Sequence, residues 1–317
     1  MITKESFFEK YNITEELFLS AEISWEDLCY IHDDFEKKIS NYEEILESFM
    51  KTYLRDIHKK RIKNDEKIKI HSFRSRIKEP EHLMAKIIRK KQDNQDKYKN
   101  LDKTNYEKFV TDLIGIRCLI LFKADWINLH NYIISQFDNK TDYYIRDSLA
   151  DFDNDENHFY IAEMPKVHIR NGDSRDIYEE VLPPNYVIDG KDYRSVHYII
   201  KYRGVYLEIQ VRTLFEEGWG EINHELVYPY FQDNKILNGF TELLNRLSGL
   251  ADEMGDFFCE LKILEAENQR DSQVMTFKTG ISNNLKAENR NLCDTPQKEV
   301  IQQMGTPCDC LKTVFEE

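Results

Sequence analysis

Six polar side chains on two short segments have the types and the spacing of a ligand site. The stretch 192–228 predicts a β-hairpin that leads into a helix, with Arg203-Gly204 as a two-residue turn. Such a hairpin puts alternate side chains on opposite faces, one of them apolar and the other polar. The polar face carries Tyr193, Ser195, His197, Glu208, Gln210 and Arg212. Aromatic, imidazole, carboxylate and guanidinium groups on one sheet face are typical of the floor of a nucleotide site.

The register of this hairpin follows from the same pattern. With the turn at Arg203-Gly204, His197 lies opposite Gln210 on the polar face. On the apolar face, Val196 lies opposite Val211, Tyr198 opposite Ile209, and Ile200 opposite Leu207. A shift by one residue would mix apolar and polar side chains on both faces, so the register is strongly specified.

A second segment combines a carboxylate and a guanidinium with a buried strand. Segment 112–122 is almost continuously apolar, the pattern of a strand that is buried on both faces. Arg117 lies in its middle, and a buried guanidinium needs a carboxylate, a phosphate or a stacking ring. A structural ion pair and a bound ligand both meet that need. Asp112, at the start of the strand, fits either a helix cap or a metal ligand.

Cations from a strand and a helix are predicted to converge. Segment 67–78 alternates like a strand, and a helix is expected to begin near Pro80. One face of the strand carries Arg74, Arg76 and Lys78. Lys86 lies on the following helix, one turn before Lys90. These groups form either an anion site or a solvated charge run.

Most of the remaining sequence predicts helices. Residues 1–60 and 237–264 show apolar residues at helical spacing, and we expect the second stretch to pack on the domain as a long amphipathic helix. The expected buried stripes are Trp25, Leu28, Ile31, Phe35 and Ile39; Ile45, Phe49 and Leu54; Phe215, Trp219, Ile222 and Leu226; and Phe240, Leu244, Leu247, Ala251, Met254 and Phe258. Segments 138–157 and 166–191 are predicted as loops, with a strand at 159–163 between them. Beyond residue 265 we expect a weakly structured tail.

Net charge and composition limit the class of protein. The 317 residues carry a net charge of −14, which argues against broad, nonspecific nucleic-acid binding. Segment 55–91, however, holds 14 Lys and Arg against 5 Asp and Glu, so a basic island of +9 lies in a remainder of −23. The sequence has no apolar run of about 18 residues and no signal-peptide layout at its start. Together with six scattered cysteines, this predicts a cytoplasmic protein without a membrane span.

Three further patterns have a spacing that can bind metals. They are His32-Asp33, Glu221 with His224, and Cys293 with Cys308-x-Cys310. A surface pair, a hydrogen bond on the helix surface and unpaired thiols are the commoner structures behind such patterns, and we expect these.

The assembled residues resemble the synthetase domain of the RelA/SpoT family, the alarmone synthetases. The matching motifs are Arg76-x-Lys78 with Lys86 eight residues on, Asp112-x-x-x-x-Arg117, the strand 193–197, the strand 208–213, and the helix 219–228. Their joint order and spacing over roughly residues 65–230 is far more specific than any single motif. The residues before this region are too few for the hydrolase domain of the long bifunctional relatives. The chain therefore resembles a stand-alone, synthetase-only member.

The resemblance implies a fold and a division of the chain. The fold is an α/β (α+β) nucleotidyltransferase-like mixed β-sheet flanked by helices, with helical extensions at both ends. The expected division is an N-terminal helical extension at 1–60, the synthetase domain at 61–232, a C-terminal helix packed on it at 233–265, and the polar tail at 266–317.

The resemblance also implies a reaction, in which the β,γ-pyrophosphate of ATP moves to the 3′-hydroxyl of GTP or GDP to give (p)ppGpp. Such a transfer needs Mg²⁺ and cations that hold the triphosphate. By resemblance, Asp112 holds Mg²⁺ and Glu208 either shares the metal or accepts the hydroxyl proton. ATP would bind to Arg76, Lys78, Lys86 and Arg117, with the two arginines on adenine. The acceptor nucleotide would be bound by Tyr193, His197, Gln210 and Arg212.

The identity of the acceptor is left open by the sequence. Lys191-Asp192 stands where many relatives have Asn-Gly, and segment 166–191 matches the usual acceptor-binding segment poorly. A toxin-type relative that pyrophosphorylates the 3′ end of tRNA is therefore the alternative, with the basic island contacting RNA phosphates. A non-catalytic nucleotide-binding module is the third reading, which the presence of both carboxylates disfavours. Whether the chain forms a homo-oligomer is also open.

Overall fold

The hairpin lies inside a seven-stranded mixed sheet. The computed structural model describes residues 3–60, 67–93, 95–137, 159–226 and 234–288. The strands are β1 (Ser72–Ile77), β2 (Ile114–Ile120), β3 (Tyr160–Ile161), β4 (Lys166–Arg170), β5 (Val187–Gly190), β6 (Ser195–Tyr202) and β7 (Val205–Thr213). Their order is β1-β2-β7-β6-β4-β5, and β3 pairs with β6. The β2–β7 and β4–β5 pairs are parallel and the others are antiparallel, so the predicted mixed sheet is confirmed.

The predicted hairpin register is confirmed residue by residue. Val196 pairs with Val211, His197 with Gln210, Tyr198 with Ile209, and Ile200 with Leu207. The turn residues Arg203 and Gly204 have φ values of 49° and 76°, the two positive angles that a type I′ turn requires. The apolar face of the hairpin lies in the main core. Burial of one face therefore fixes which side chains form the opposite, polar face.

Helices flank the sheet. They are α1 (Lys4–Tyr11), α2 (Glu15–Ser20), α3 (Trp25–Phe49), α4 (Pro80–Asp93), α5 (Gln95–Tyr98), α6 (Tyr106–Phe109), α7 (Asp125–Gln136), α8 (Asp176–Glu179), α9 (Leu214–Leu226) and α10 (Lys235–Glu288). A π-helical turn at Met50–Leu54 extends α3. The predicted N-terminal stripes are confirmed, since Leu28, Ile31, Phe35, Phe49 and Leu54 are at most 1% exposed. Within the described residues, no helix is long and apolar enough to cross a membrane.

The sequence predicted a loop over segment 166–191, but the structure shows regular elements within it. It contains β4, α8, a 3-10 turn at Pro184–Tyr186 and β5. Val167 and Ile169 point into the core at 0% and 2% exposure, and Val187 is buried as well. The strand pattern was missed because two apolar residues in alternation are too short a signal among glycines and prolines. The sheet consequently extends beyond the hairpin by one more strand pair.

Two helices bury a polar face where an apolar one was predicted. On α9, Phe215, Ile222 and Leu226 are 41–49% exposed, and only Trp219 of the predicted stripe is buried. The buried neighbours of Trp219 are Glu216 and Glu217, which face arginines of the sheet. On α10 the predicted core residues Phe240, Leu247, Met254 and Phe258 are 52–67% exposed. Both predictions about the orientation of these stripes were wrong.

The face of α10 that meets the sheet is polar because the surface beneath it is charged. Its buried polar residues are Thr241, Asn245, Ser248 and Asp252. Ser248 donates to Glu216 at 3.1 Å, and Asp252 accepts from Thr213 at 3.0 Å. Asp252 also lies 3.6 Å from Arg194, whose side chain is only 7% exposed. Hydrogen bonds and ion pairs therefore hold this helix on the sheet.

The chain falls into two compact units, Met1–Glu260 and Leu261–Glu317. The helix α10 continues to Glu288, past the predicted end at residue 265. The predicted domain boundaries at residues 60, 232 and 265 stay predictions. The expected loop at 138–157, the motif residue Tyr228, the three C-terminal cysteines and most of the predicted tail lie outside the described residues.

Candidate active site

Five side chains of the polar hairpin face form a closed ring of hydrogen bonds. Arg212 Nη2 donates to Tyr193 Oη at 2.8 Å and to Gln210 Oε1 at 2.7 Å. Tyr193 Oη lies 2.8 Å from His197 Nε2, and His197 Nδ1 lies 3.1 Å from Glu208 Oε1. Gln210 Nε2 closes the ring by donating to Glu208 Oε2 at 2.7 Å. All five are residues that the sequence singled out, and the alternation of β6 and β7 brings them together.

The ring fixes the protonation pattern around Glu208. Because Arg212 can only donate, Tyr193 accepts from it and donates its own proton to His197 Nε2. His197 then carries its proton on Nδ1 and donates it to Glu208. Burial opposes ionisation of Glu208, but the hydrogen bond from His197 lowers its pKa below the usual value. Glu208 is therefore held as a carboxylate that accepts from two donors.

Asp112 lies just ahead of β2, next to the strand that carries Glu208. Lys78 Nζ and Lys86 Nζ lie 2.9 Å and 2.5 Å from Asp112 Oδ2. Burial alone would raise the pKa of Asp112, but the two ammonium groups outweigh it and lower the pKa to about 2. The other oxygen, Oδ1, is buried and has no hydrogen-bond partner among the described residues. Asp112 therefore offers one oxygen for a further ligand.

Two cavities meet at these carboxylates, since Asp112 and Glu208 line both of them. The arginine cavity, of about 370 Å³, is lined by Arg74, Ser75, Arg76, Asp112, Gly115, Ile116, Arg117, Glu208, Gln210, Glu221 and His224. The lysine cavity, of about 200 Å³, is lined by Lys86, Lys90, Lys97, Tyr98, Phe109, Val110, Thr111, Asp112, Glu163, Met164, Lys166, His197, Ile199 and Glu208. Two bound groups could thus approach one pair of carboxylates from different directions.

The arginines are positioned by carboxylates of α9. Arg117 Nη1 lies 2.9 Å from Glu217 Oε1 and also pairs with Glu221. Arg74 lies opposite Arg117 in the β1–β2 pairing and reaches Glu217 and Glu221 at 3.1 Å. Glu217 Oε2 in addition pairs with Arg212 at 3.3 Å. Arg117 therefore makes the structural ion pair that the sequence left open. It also lies in the wall of the arginine cavity.

Only some of the predicted site residues line the two cavities. Arg76 and Arg117 line the arginine cavity, and Lys86 lines the lysine cavity. Lys78 is absent from both walls and lies behind Asp112, where burial lowers its pKa. Of the expected acceptor residues, His197 lines the lysine cavity and Gln210 the arginine cavity. Their roles in binding stay predictions.

Several wall residues were not predicted from the sequence. Glu217 was missed although it lies four residues before Glu221, which is the spacing of one helix face. Lys97 and Lys166 line the lysine cavity from α5 and β4, two elements that the sequence did not reveal. The pair Glu221–His224 lies in the arginine cavity wall, where Glu221 pairs with arginines.

The carboxylates fit a divalent cation. Mg²⁺ prefers carboxylate oxygens and keeps several waters, so it needs few protein ligands. Asp112 Oδ1 supplies an unpartnered buried oxygen, and Glu208 lies in the same two cavity walls. Among the described residues, the one cluster of three metal-ligating side chains is His32, Asp33 and Glu36 on α3. Nothing else at that cluster points to a bound ion.

Comparison with known proteins identifies the family. The sequence model described as "Region found in RelA / SpoT proteins" matches residues 75–233, half of the chain. A comparison with curated proteins found no match. Similar solved structures include small alarmone synthetase 1 from Bacillus subtilis, with 20% identity, 74% of this chain and 99% of that chain covered, and a TM-score of 0.47.

Two further structures show a similar level of likeness. Small alarmone synthetase 2 from Bacillus subtilis has 20% identity, with 72% of this chain and 98% of that chain covered and a TM-score of 0.44. A GTP pyrophosphokinase family protein from Streptococcus pneumoniae has 18% identity, with 73% and 93% covered and a TM-score of 0.42. The match of the family's sequence model to half of the chain decides the assignment. The chain belongs to the RelA/SpoT family, whose members are pyrophosphotransferases.

Proposed function

We propose that this chain transfers the β,γ-pyrophosphate of ATP to the 3′-hydroxyl of GTP or GDP, giving (p)ppGpp and AMP. The observation that carries the proposal is the position of Asp112 and Glu208 in the walls of two cation-lined cavities. A donor and an acceptor can then meet at one pair of carboxylates. Membership of the RelA/SpoT family supports the same reaction.

In this proposal the donor and the acceptor occupy opposite sides of the carboxylates. Arg76 and Arg117 hold the adenine of ATP by cation–π contact, and Lys86 holds its phosphates. Lys78 lies behind Asp112 and balances its charge when ATP is bound. The acceptor enters the lysine cavity beside His197, while Tyr193, Gln210 and Arg212 keep His197 and Glu208 in place through the hydrogen-bond ring.

Mg²⁺ would be held by Asp112 and Glu208 and would neutralise the phosphate charge. The acceptor 3′-oxygen forms a bond to the β-phosphorus of ATP, and the bond from that phosphorus to the α,β-bridging oxygen breaks. The electron pair leaves with AMP. The hydroxyl proton goes to Glu208 or to water, depending on whether Glu208 serves as base or as metal ligand. The arginines and lysines stay in place and stabilise the charge that develops.

The decisive experiment labels the transferred group. Purified protein is incubated with Mg²⁺ and ATP carrying a γ-phosphate label, together with GDP, GTP or deacylated tRNA. We expect label on the guanine nucleotide, and loss of transfer by at least about 100-fold in Asp112→Asn and Glu208→Gln. Glu43→Gln, an exposed glutamate of α3, is the matched control and should remain active.

Other outcomes would replace the proposal. Label found only on tRNA would identify the toxin-type reaction, which the lysine-rich cavity also accommodates. Absence of transfer to every acceptor, with retained binding of ATP, would identify a non-catalytic nucleotide-binding module.

A further inference from the structure

A third carboxylate, that of Glu221 on α9, lines the arginine cavity. The other two in that wall, Asp112 and Glu208, are proposed to hold the metal at the phosphates, which leaves Glu221 without a role in the reaction. Its side chain is 46% exposed, whereas that of Glu217, one turn earlier on the same helix, is 7% exposed and lines neither of the two cavities described above. Glu221 therefore keeps oxygen surface that a ligand in the arginine cavity can contact.

The strand register places Glu221 at the end of the cavity that is remote from Asp112. Asp112 lies just before β2, and Arg117 lies five residues further along the chain, roughly 15 Å at about 3.3 Å per residue. Arg117 faces Arg74 of β1 in the register, and both arginines pair with Glu221. The proposed function has the phosphates of ATP near Asp112 and its adenine between Arg76 and Arg117. The base then lies at the end of the cavity that holds Glu221.

Glu221 and Arg74 present a hydrogen-bond acceptor beside a donor. Glu221 Oε2 lies 3.1 Å from Arg74 Nη1. Burial opposes ionisation of Glu221, but the hydrogen bond from Arg117 and the positive charges of both arginines lower its pKa. Glu221 therefore stays a carboxylate, which only accepts hydrogen bonds and has lone pairs beyond those that its two arginines use. The guanidinium of Arg74 has five N–H groups and only donates.

This pair is complementary to an edge of adenine. Adenine presents its 6-amino group, a donor, beside a ring nitrogen that accepts, whereas guanine and hypoxanthine have the acceptor O6 in place of the amino group. We propose that Glu221 selects the base of the pyrophosphate donor, by accepting from the 6-amino group of adenine and repelling O6 of a 6-oxopurine, while Arg74 donates to the neighbouring ring nitrogen. This inference rests on the proposed function, because it takes the arginine cavity to be the donor site.

The test compares ATP with inosine triphosphate (ITP) as the donor. ITP has the same ribose and phosphates but carries hypoxanthine. Transfer from each γ-labelled donor is measured with GDP, or the acceptor that the labelling experiment identifies, at saturation, so that ITP does not occupy the acceptor site. We expect the wild-type kcat/KM to favour ATP by at least about 100-fold, and Glu221→Gln to lower this preference by at least about 10-fold, because the amide N–H can donate to O6.

Two further variants of α9 separate base recognition from the positioning of the arginines. Glu217→Gln removes a partner of the same arginines without touching the cavity, so it should lower kcat/KM for ATP and ITP alike and keep their ratio. Glu225→Gln, the same change at an exposed position one turn after Glu221, should leave both values unchanged. Because a purely structural loss affects both nucleotides equally, the ratio reports on recognition of the base.

A wild type that uses ATP and ITP equally well, or a Glu221→Gln variant that keeps the full preference, overturns the inference. Failure of the proposed function gives a different result, namely no transfer from ATP to any acceptor. The ratio of the dissociation constants of ATP and ITP, measured by calorimetry with GDP at saturation, then replaces the kinetic ratio. We expect the same preference and the same loss in Glu221→Gln, and equal affinities in the wild type would again overturn the role of Glu221.

Discussion

At the scale of single residues, the hydrogen-bond ring bears on the role of Glu208. An efficient general base has a pKa near the working pH, whereas the pKa of Glu208 is lowered by the hydrogen bond from His197. A carboxylate that stays ionised is better suited to hold a cation than to take up a proton. We therefore expect Glu208 to act as a metal ligand together with Asp112, one of the two roles that the sequence could not separate.

Arg76 and Arg117 line the same cavity but differ in their attachments, so their removal should have different effects. Arg76 is exposed and makes no hydrogen bond or ion pair within the described part of the chain, whereas Arg117 pairs with two glutamates. We expect Arg76→Ala to raise the KM for ATP by about 10-fold and to leave the melting temperature unchanged, because only a ligand contact of about 1.4 kcal/mol is lost.

Arg117→Ala should raise the KM for ATP and also lower the melting temperature, since the largely buried Glu217 loses one of its three arginine partners. Steady-state kinetics with ATP as the varied substrate and thermal melts of both variants provide the comparison. An unchanged KM for ATP in Arg76→Ala would remove Arg76 from the proposed adenine site.

At the scale of secondary-structure elements, the sequence predicted that an element has an apolar and a polar face more reliably than it predicted which of the two faces packs against the protein. The hairpin is fully specified because β6 and β7 have an apolar face that matches the core. For α10 the amphipathic stripe is real, but the surface beneath the helix holds Arg170, Arg194 and Glu216. Periodicity cannot reveal that this surface is charged, because those residues come from three distant segments.

The same reasoning explains which parts of the site were foreseen. Residues on one hairpin, such as His197 and Gln210, are related by local pairing and could be placed from the sequence. The pairing of Arg117 with Glu217 joins residues 100 positions apart on β2 and α9. Such a contact depends on how the helix returns over the sheet, and a single sequence does not specify that path.

The attachment of α10 should make stability depend on pH through Asp252. Burial raises the pKa of Asp252 from 3.8 to about 6, and the hydrogen bond from Thr213 and the positive charge of Arg194 only partly oppose this. The folded state therefore binds this proton more tightly than the unfolded chain. Its stabilising contribution is complete below the unfolded pKa and declines as the pH rises towards about 6. The decline amounts to the order of 3 kcal/mol.

Asp252→Asn should abolish this decline and make the protein more stable than the wild type near pH 7, by about 1–3 kcal/mol, because the amide still accepts from Thr213. Urea denaturation between pH 4 and 7, at one protein concentration, measures the difference. Asp96→Asn, the same change at an exposed position of α5, serves as control. A variant whose stability follows the pH dependence of the wild type would show that Asp252 titrates normally.

At the scale of the whole molecule, the charge distribution bears on the size of the acceptor. The chain carries −14 overall, while the walls of the two cavities together hold seven Lys and Arg against four Asp and Glu, a net of +3. Positive charge is thus concentrated at the cavities in which we propose that the substrates bind, within a chain that is acidic in sum. A long polyanion would meet net repulsion from the chain as a whole. This pattern favours a mononucleotide acceptor over tRNA.

The ionic-strength dependence of the reaction should therefore be shallow. A protein that neutralises 6–10 phosphates of a polynucleotide loses about 10³–10⁵ in affinity between 50 and 200 mM salt, whereas the same relation gives a loss of only about 10- to 40-fold for a nucleotide that engages two or three charges. We expect the smaller loss in kcat/KM for GDP or GTP, measured with ATP held at saturation. Lys90→Gln should reduce the dependence further because it removes one positive charge from the wall of the lysine cavity. A loss of about 1,000-fold or more for a tRNA acceptor, with GDP and GTP inactive, would instead mean that the acidic surroundings do not exclude RNA.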